Sequence, residues 1–488
     1  MAATPAAAAG TKQIEPLNQY VVSGRVSPED LARAGYDLTE GGLPGHKSGW
    51  VITATATQAD SLEAKGATVR PLGRERTAAV AAPDPLTPPT HGYNVFRPWS
   101  LTPAPCPQTC TTPNIPLKQW YADLAAHNTD VVKAYVIGKS VLGQDIVAYK
   151  VTKNARTEKD GSRPAVVYNA TQHAREWISA EVERRLFKYV VENKEQTSGN
   201  KVKDLLAKNE LWFVPIVNPD GYDYTFTAPA TRFWRKNLHD NNGDGAITNV
   251  DGVDTNRNWP TKWNYDLEGA SAEPSSETFH GSGPASEPEV KALRGLIKRI
   301  RPSFQIDYHS FAQLILYPEG WQVETPSTDT PLMASLAGDD DKPAVAGFDP
   351  DVSAELYTTN GDVTDDTYKA FNVLAYTVEL DGGTGPAVGG TDGTDPAYTP
   401  NGFAFQDSEA DIQAQFEKNL AFALDLSRSA KDPANFSSHL GNEAPELVPR
   451  AFPVSFGDPQ TVEVNAKREL GSVTVHWKVN GGREHTAS

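Results

Sequence analysis

The stretch PAVVYNATQHAREWISAEVERRLFKYVVEN, residues 164–193, passes from an apolar run through a short polar junction into a helical period. PAVVYNATQ is short, apolar and bears β-branched residues, the pattern of a buried strand. REWISAEVERRLFKYVVEN repeats its apolar positions every three or four residues, the pattern of an amphipathic helix. A buried strand running straight into a helix is the building unit of an α/β sheet. The junction carries His173 and Glu176 with two residues between them, a spacing at which an imidazole and a carboxylate can bind one zinc ion. Alone the pair says little, because most such pairs are surface residues.

A catalytic zinc needs a third protein ligand and an open position for water. His309, in QIDYHSF, is the best-placed candidate, since it ends an apolar strand and α/β active sites draw their residues from strand ends. A hydrogen-bonded core histidine is the alternative at that position. Around these segments strands and helices keep alternating. PLKQWYADLAAHN, SEPEVKALRGLIKRI and ADIQAQFEKNLAFALDLSRSA read as helices, VVKAYVIGKS and DIVAYKVTKN as a hairpin pair, and LWFVPIVNPDG and VLAYTVEL as strands. The pattern predicts a mixed α/β sheet covered by helices on both faces, over residues 114–430.

The flanks read differently. Residues 16–73 give a small β-α-β-α unit of the size of a prodomain or accessory module, with helices over SPEDLARAGY and QADSLEAKG. Residues 74–113 are crowded with Pro and Thr, which resist helix and central strand, and are expected to be a linker with room for a processing site. Residues 431–488 read as short alternating strands, too few for an independent sandwich, so this β-rich tail is expected to dock on the main domain or to be cut short.

Composition narrows the function. The 488 residues are 39% hydrophobic and 22% charged, as in soluble globular proteins, with no apolar run of the roughly 20 residues that span a bilayer. A net charge of −17 disfavours nucleic acid and anionic lipid as partners. Cys106 and Cys110, the only cysteines, can close a small disulfide loop in an oxidising compartment; two free thiols are the alternative, and two cysteines cannot build a thiolate metal site. The opening MAATPAAAAG lacks the basic and leucine-rich regions of a secretory signal, so a secreted protein is expected to carry that signal outside this sequence.

The motifs HAREW, NPDGYDYT, RFWRKN, DTNRNW, YHSFAQLILYPEGW and YTVEL occur in that order between residues 114 and 430. In type and order they resemble the zinc carboxypeptidases of the carboxypeptidase A type, and the N-terminal unit resembles the prodomain-like segments of bacterial members. The resemblance implies a mixed eight-stranded sheet, one catalytic Zn2+ and a monomeric exopeptidase acting on peptide and protein C-termini. It implies that His173, Glu176 and His309 bind the zinc, with Asp254 orienting His173 from behind. Glu379 is implied as the general base and acid that works on water at a metal whose charge lowers that water's pKa towards about 7. Arg235 is implied to polarise the scissile carbonyl, and Arg232 to serve a further subsite.

Asn256 and Arg257 match the pair that holds the substrate's terminal carboxylate, and Tyr357 matches the mobile tyrosine that caps it. The S1′ base falls at Thr364, neither strongly apolar nor acidic. Asp365 matches a structural Asp of the family, whereas Asp366 stands where Trp is common. Asp362 is expected to face the pocket, which with apolar walls would accept both hydrophobic and basic C-terminal residues. Two other functions compete: a hydrolase of cell-wall-type peptides on the same fold, and a non-catalytic binding module. The first often loses carboxylate-recognition residues and the second loses zinc ligands or the catalytic Glu, and this sequence retains all of them.

One motif lies outside that set. DNNGDGAITNVD fits a calcium-loop template, with Asp240, Asn242, Asp244 and Asp251 as side-chain ligands and Ala246 offering its carbonyl. No flanking helix pair is evident, so a structural Ca2+ brace between Arg235 and Asn256 is expected rather than a sensor. A Gly/Asn/Asp-rich turn without an ion is the alternative.

Overall fold

The structure is a computed structural model, and it describes residues 14–24, 26–39, 49–71, 93–106, 110–266, 268–322, 327–381, 405, 407–449, 464–466, 472–478 and 482–487. The N-terminal unit holds β1 (Asn18–Gly24), α1 (Pro28–Arg33), β2 (Asp37–Thr39), β3 (Trp50–Ala54), α2 (Ala56–Ala64) and β4 (Ala67–Pro71), with the strands ordered β2-β3-β1-β4. α1 starts at the Ser27 cap, whereas α2 starts at Ala56, two residues before the expected Gln58. Ser27 with Asp30, and Thr55 with Gln58, form reciprocal capping boxes that satisfy the first free N–H groups. Val22, Leu31, Ile52 and Leu62 are buried in a core belonging to this unit. The short strands β2 and β4 add to the expected β-α-β-α pattern; three-residue β2 is too brief to show a period of two.

The main domain is built on an eight-stranded sheet. Its strands are β5 (Val132–Lys139), β6 (Asp145–Val151), β7 (Ala165–Ala170), β8 (Glu210–Val214), β9 (Phe304–Ser310), β10 (Leu314–Tyr317), β13 (Asp349–Val352) and β14 (Leu374–Leu380); a two-residue ribbon, β11 (Gly338–Asp339) with β12 (Lys342–Pro343), stands apart. The order is β13-β10-β14-β9-β7-β8-β6-β5, and the central strands β8, β7, β9 and β14 run parallel. Every residue of β7, β8, β9 and β14 is buried, as parallel strands covered on both faces must be. The covering helices include α3 (Leu117–His127), α4 (Trp177–Glu192), α7 (Pro288–Ile300), α10 (Val363–Phe371) and α11 (Glu409–Ser429), with the shorter α5 (Val202–Lys208), α6 (Pro219–Tyr224), α8 (Thr330–Ala337) and α9 (Ser353–Leu356) between. Two apolar clusters lie on opposite sides of the sheet, one around Trp177, Phe187 and Phe213, the other around Trp212, Leu293 and Ile297.

The boundary expected at residue 114 moves. Val95, Phe96 and Trp99, which composition assigns to a linker, are buried in the first of those clusters. A proline-rich segment has few ladder partners for its carbonyls, and here the buried Arg97 guanidinium satisfies them, donating to Phe96 O at 2.6 Å, Thr112 O at 2.8 Å, Asn94 O at 3.1 Å, Pro113 O at 3.3 Å and to Tyr93 O. Asp407 accepts the Asn94 and Val95 N–H groups at 2.6 and 2.7 Å. Cys106 and Cys110 are disulfide-bonded. The rest of the expected linker and its processing site, residues 74–92, lies outside the described residues. So does much of the tail, in which β15 (Leu447–Pro449) pairs with β16 (Val464–Ala466) and β17 (Val475–Lys478) with β18 (Glu484–Ala487). The β17–β18 side chains are exposed.

Candidate active site

β7 ends at Ala170, the chain turns through Thr171 in the left-handed region (φ 61°), and α4 begins after Glu176. Glu176 is the residue before the first helical turn, where the helix dipole favours a negative charge, yet its carboxylate makes no helix cap. It turns to the histidines instead: Oε1 lies 2.7 Å from His173 Nδ1 and Oε2 lies 3.0 Å from His309 Nδ1, while the two Nδ1 atoms are 3.0 Å apart. Among the described residues this is the only group of three His, Cys, Asp or Glu side chains whose ligand atoms converge. Tetrahedral zinc with bonds of about 2.0–2.1 Å holds its ligands ~3.3 Å apart, so the ion fits after a few tenths of an ångström of widening. Burial alone would raise Glu176, but the facing His173 and His309 hold it well below the usual carboxylate range.

Asp254 ties this centre to its surroundings. It caps the short 3₁₀ turn Thr255–Arg257, accepting Asn256 N–H at 2.8 Å on Oδ1, and the same oxygen faces His173 Nε2 at 3.2 Å. Oδ2 accepts from Arg235 at 3.0 Å. Burial raises Asp254, but Arg235 and then His173 outweigh it, leaving the group well below its ordinary value; Arg235 is correspondingly held well above its own, against the effect of burial.

One cavity is lined by His173, Glu176, Arg235, Asn256, Arg257 and Glu379. Glu379 sits beside His309 in the parallel β9–β14 register, which puts a carboxylate next to the metal ligands. Asn256 Oδ1 accepts Val363 N–H at 2.9 Å, so its amide NH2 is left as the donor on the cavity side. Arg257 donates to Asn256 O at 3.0 Å and to Tyr357 Oη at 3.4 Å, and its buried Nε has no hydrogen-bond partner among the described residues. The same cavity takes in Tyr357, Asp362 and Thr364. Asp362 caps α10, accepting Asp365 N–H at 2.8 Å and the hydroxyls of Thr364 and Thr359 at 2.9 and 2.6 Å. Asp365 accepts Gly320 N–H, and burial together with Asp362 pushes it well above its ordinary value. Asp366 turns away, to Arg294 Nε at 2.7 Å and to Thr261, so replacing a tryptophan there leaves the pocket untouched.

Two further candidates lie apart from this centre. Arg232 does not line the cavity. Its guanidinium is boxed by Trp177, Tyr93 and Phe405, with ring centroids at 4.4, 5.0 and 5.6 Å, and burial pulls its pKa down to about 9. Nor do the calcium-loop carboxylates gather as the zinc set does. Asp240 accepts the Gly243, Asp244 and Gly245 N–H groups, Asn242 that of Asp244, and Asp244 that of Ala246. Asp251 holds Thr248 and Asn241. The loop is stapled by its own side chains, and Asn249 exchanges two hydrogen bonds with the backbone of Glu15.

That contact belongs to a larger docking. Asp37 and Leu38, from β2 of the N-terminal unit, line the cavity. Asp37 Oδ1 lies 2.9 Å from Arg235 Nη1, and Oδ2 pairs with Arg175, a residue that also holds Glu277 at 3.0 Å. Burial raises Asp37, but Arg235 and Arg175 bring it below the usual carboxylate value. No sequence pattern marks Asp37; Arg175 stood inside HAREW without a role.

A mixed sheet with a His–Glu–His set at its strand ends, a neighbouring carboxylate and an arginine-lined cavity define a zinc hydrolase. Residues 117–421 match the family model described as zinc carboxypeptidase, and the chain belongs to that family. It is similar to a metallocarboxypeptidase A-like protein of Trichophyton verrucosum, 34% identical over 216 residues, which are 43% of this chain and 46% of that protein. Carboxypeptidase B of Bos taurus is 30% identical over 278 residues, 54% of this chain and 61% of that one. The matched part thus spans about half the length of these relatives. The fold is shared with carboxypeptidase A from Helicoverpa armigera, TM-score 0.62 at 23% identity over 86% of this chain and 98% of that one. It is shared also with thrombin activatable fibrinolysis inhibitor, TM-score 0.61 at 21% identity over 86% and 100%.

Asp254→Asn removes one of the two carboxylates that hold Arg235 and weakens the backing of His173. Zinc affinity should fall ~10–100-fold and kcat/KM with it, measured by chelator competition and peptide hydrolysis.

Proposed function

We propose that the chain is a zinc-dependent exopeptidase that removes C-terminal residues from peptides and proteins. The observation that carries this is the Arg257 guanidinium, buried with an Nε–H unused among the described residues, beside the Asn256 amide and in the same cavity as the metal-ligand set. A guanidinium with an amide donor fits a free carboxylate and selects a chain end over an internal bond. His173, Glu176 and His309 would hold Zn2+, which supplies the Lewis acidity that makes a water nucleophilic near neutral pH. Glu379 accepts the proton of that water and returns it to the leaving amine, Arg235 binds the carbonyl oxygen as it gains charge, and Tyr357 closes over the bound end. A hydrolase of cell-wall-type peptides and a binding module remain less favoured, because carboxylate grip, metal set and base all converge. The disulfide supports a secreted location.

Asp362 places one carboxylate on the pocket wall beside Thr364, with capacity left on its oxygens, and supports acceptance of basic as well as hydrophobic C-terminal side chains. The N-terminal unit keeps the site closed: Asp37 takes the arginine that a substrate carbonyl needs. Because the folded pKa of Asp37 is depressed, this pair is fully present above the unfolded value of ~3.9 and is lost only as pH falls through the lower folded value.

Glu379→Gln should keep zinc and lose ~10²–10⁴-fold in kcat on a chromogenic C-terminal peptide; a variant with wild-type turnover would refute the assigned base. Asp362→Asn should lower kcat/KM for C-terminal Arg relative to Phe by ~10-fold or more, and an unchanged ratio would remove Asp362 from the specificity pocket. In the uncleaved chain, Asp37→Ala should raise activity at pH 7 at least ~10-fold, whereas the wild type should stay latent at that pH. Equal activities at pH 7 would sink the masking role.

A further inference from the structure

β9 alternates its side chains between the two faces of the sheet, so Asp307 shares a face with His309, two residues on. An acid in the middle of a fully buried parallel strand is costly unless something specific holds its charge. Asp307 is completely buried, and its Oδ2 faces His309 Nε2 at 2.6 Å, the nitrogen remote from the metal-ligand atoms. Its other contacts are neutral amides: Gln172 Nε2 donates to Oδ2 at 2.6 Å, and Asn169, its cross-strand partner on β7, donates to Oδ1.

Those amides are themselves fixed. Gln305 Nε2 donates to Asn169 Oδ1 at 2.8 Å, and Trp259 Nε1 donates to Gln172 Oε1 at 3.1 Å. Gln172 O accepts Thr255 Oγ1 at 3.0 Å, so the network reaches the turn that carries Asn256 and Arg257. The contrast with Asp254 is informative. Asp254 has Arg235 to balance its charge, whereas among the described residues Asp307 has no Lys or Arg ion-pair partner, only His309.

We propose that Asp307 is the positioning residue for the third zinc ligand: it holds the His309 Nε2–H so that the Nδ1 lone pair points at the ion, and its unbalanced charge is compensated by the metal through that imidazole. A carboxylate behind a ligating histidine fixes the tautomer and makes the ring a stronger donor. Asp307 thereby joins the metal to the carboxylate-binding turn through Gln172 and Thr255. This rests on the zinc reading above.

The test compares the full wild-type chain with Asp307→Asn, following zinc loss to a chromogenic chelator and the visible spectrum after cobalt substitution. Zinc should leave ~10–100-fold faster from the variant, and the cobalt bands should shift. The Tm of the zinc-free protein should stay within ~3 °C of wild type, because no packing is removed. Wild-type zinc retention, or a zinc loss that only follows a fall in the zinc-free Tm, would overturn the proposal. Should Asp307→Asn not fold, Gln172→Met removes the amide that aims Asp307 and should speed zinc release a few-fold with KM unchanged; unchanged release would overturn it. A wild-type chain that binds no zinc would refute the proposed function itself, a result separate from the comparison of variants.

Discussion

Asp254 is the constraint on which the rest of the site depends. One buried carboxylate faces His173, caps the turn bearing Asn256 and Arg257, and grips Arg235. A carboxylate has room for about four such partners, and nearly all of that capacity is committed in fixed directions. His173, Arg235 and the turn that carries Asn256 and Arg257 therefore cannot move independently. Catalytic groups must be held within roughly half an ångström of their working geometry, and a shared anchor achieves that with one side chain rather than three. Parallel β9 and β14 supply the remaining register by setting His309 beside Glu379.

Much of this was legible because the relevant signals are local. The strand–turn–helix at residues 164–193 carries its own period, and ordered motifs named His173, Glu176, His309, Asn256, Arg257 and Glu379 before any contact was visible. What escaped is non-local. Asp37 reaches the cavity from a three-residue strand with no readable alternation. Arg232 has the right residue type at the right motif position, but Tyr93 and Phe405 arrive from distant parts of the chain to enclose it. Asp307 could have been suspected, since a charge two residues before His309 on a strand buried at every position needs a reason.

The segment around Arg97 shows how composition misleads at a domain edge. Proline-rich chain is read as linker because its backbone lacks partners, and that inference holds only if nothing else supplies them. Here one guanidinium answers five carbonyls and two acids, Asp407 and Asp223, hold the adjoining N–H groups. The loop at residues 240–251 is a parallel case: its calcium-like spacing serves its own backbone amides and a seat for Glu15.

The docking of β2 onto Arg235 has a consequence for concentration. While the N-terminal unit stays joined to the domain, Asp37 is presented to Arg235 at the local concentration that a short tether imposes, of the order of millimolar. Severing the chain converts that into an ordinary bimolecular encounter governed by how dilute the two pieces are. The ion pair itself need not weaken for Arg235 to be released; dilution of the two pieces into the surrounding volume does it.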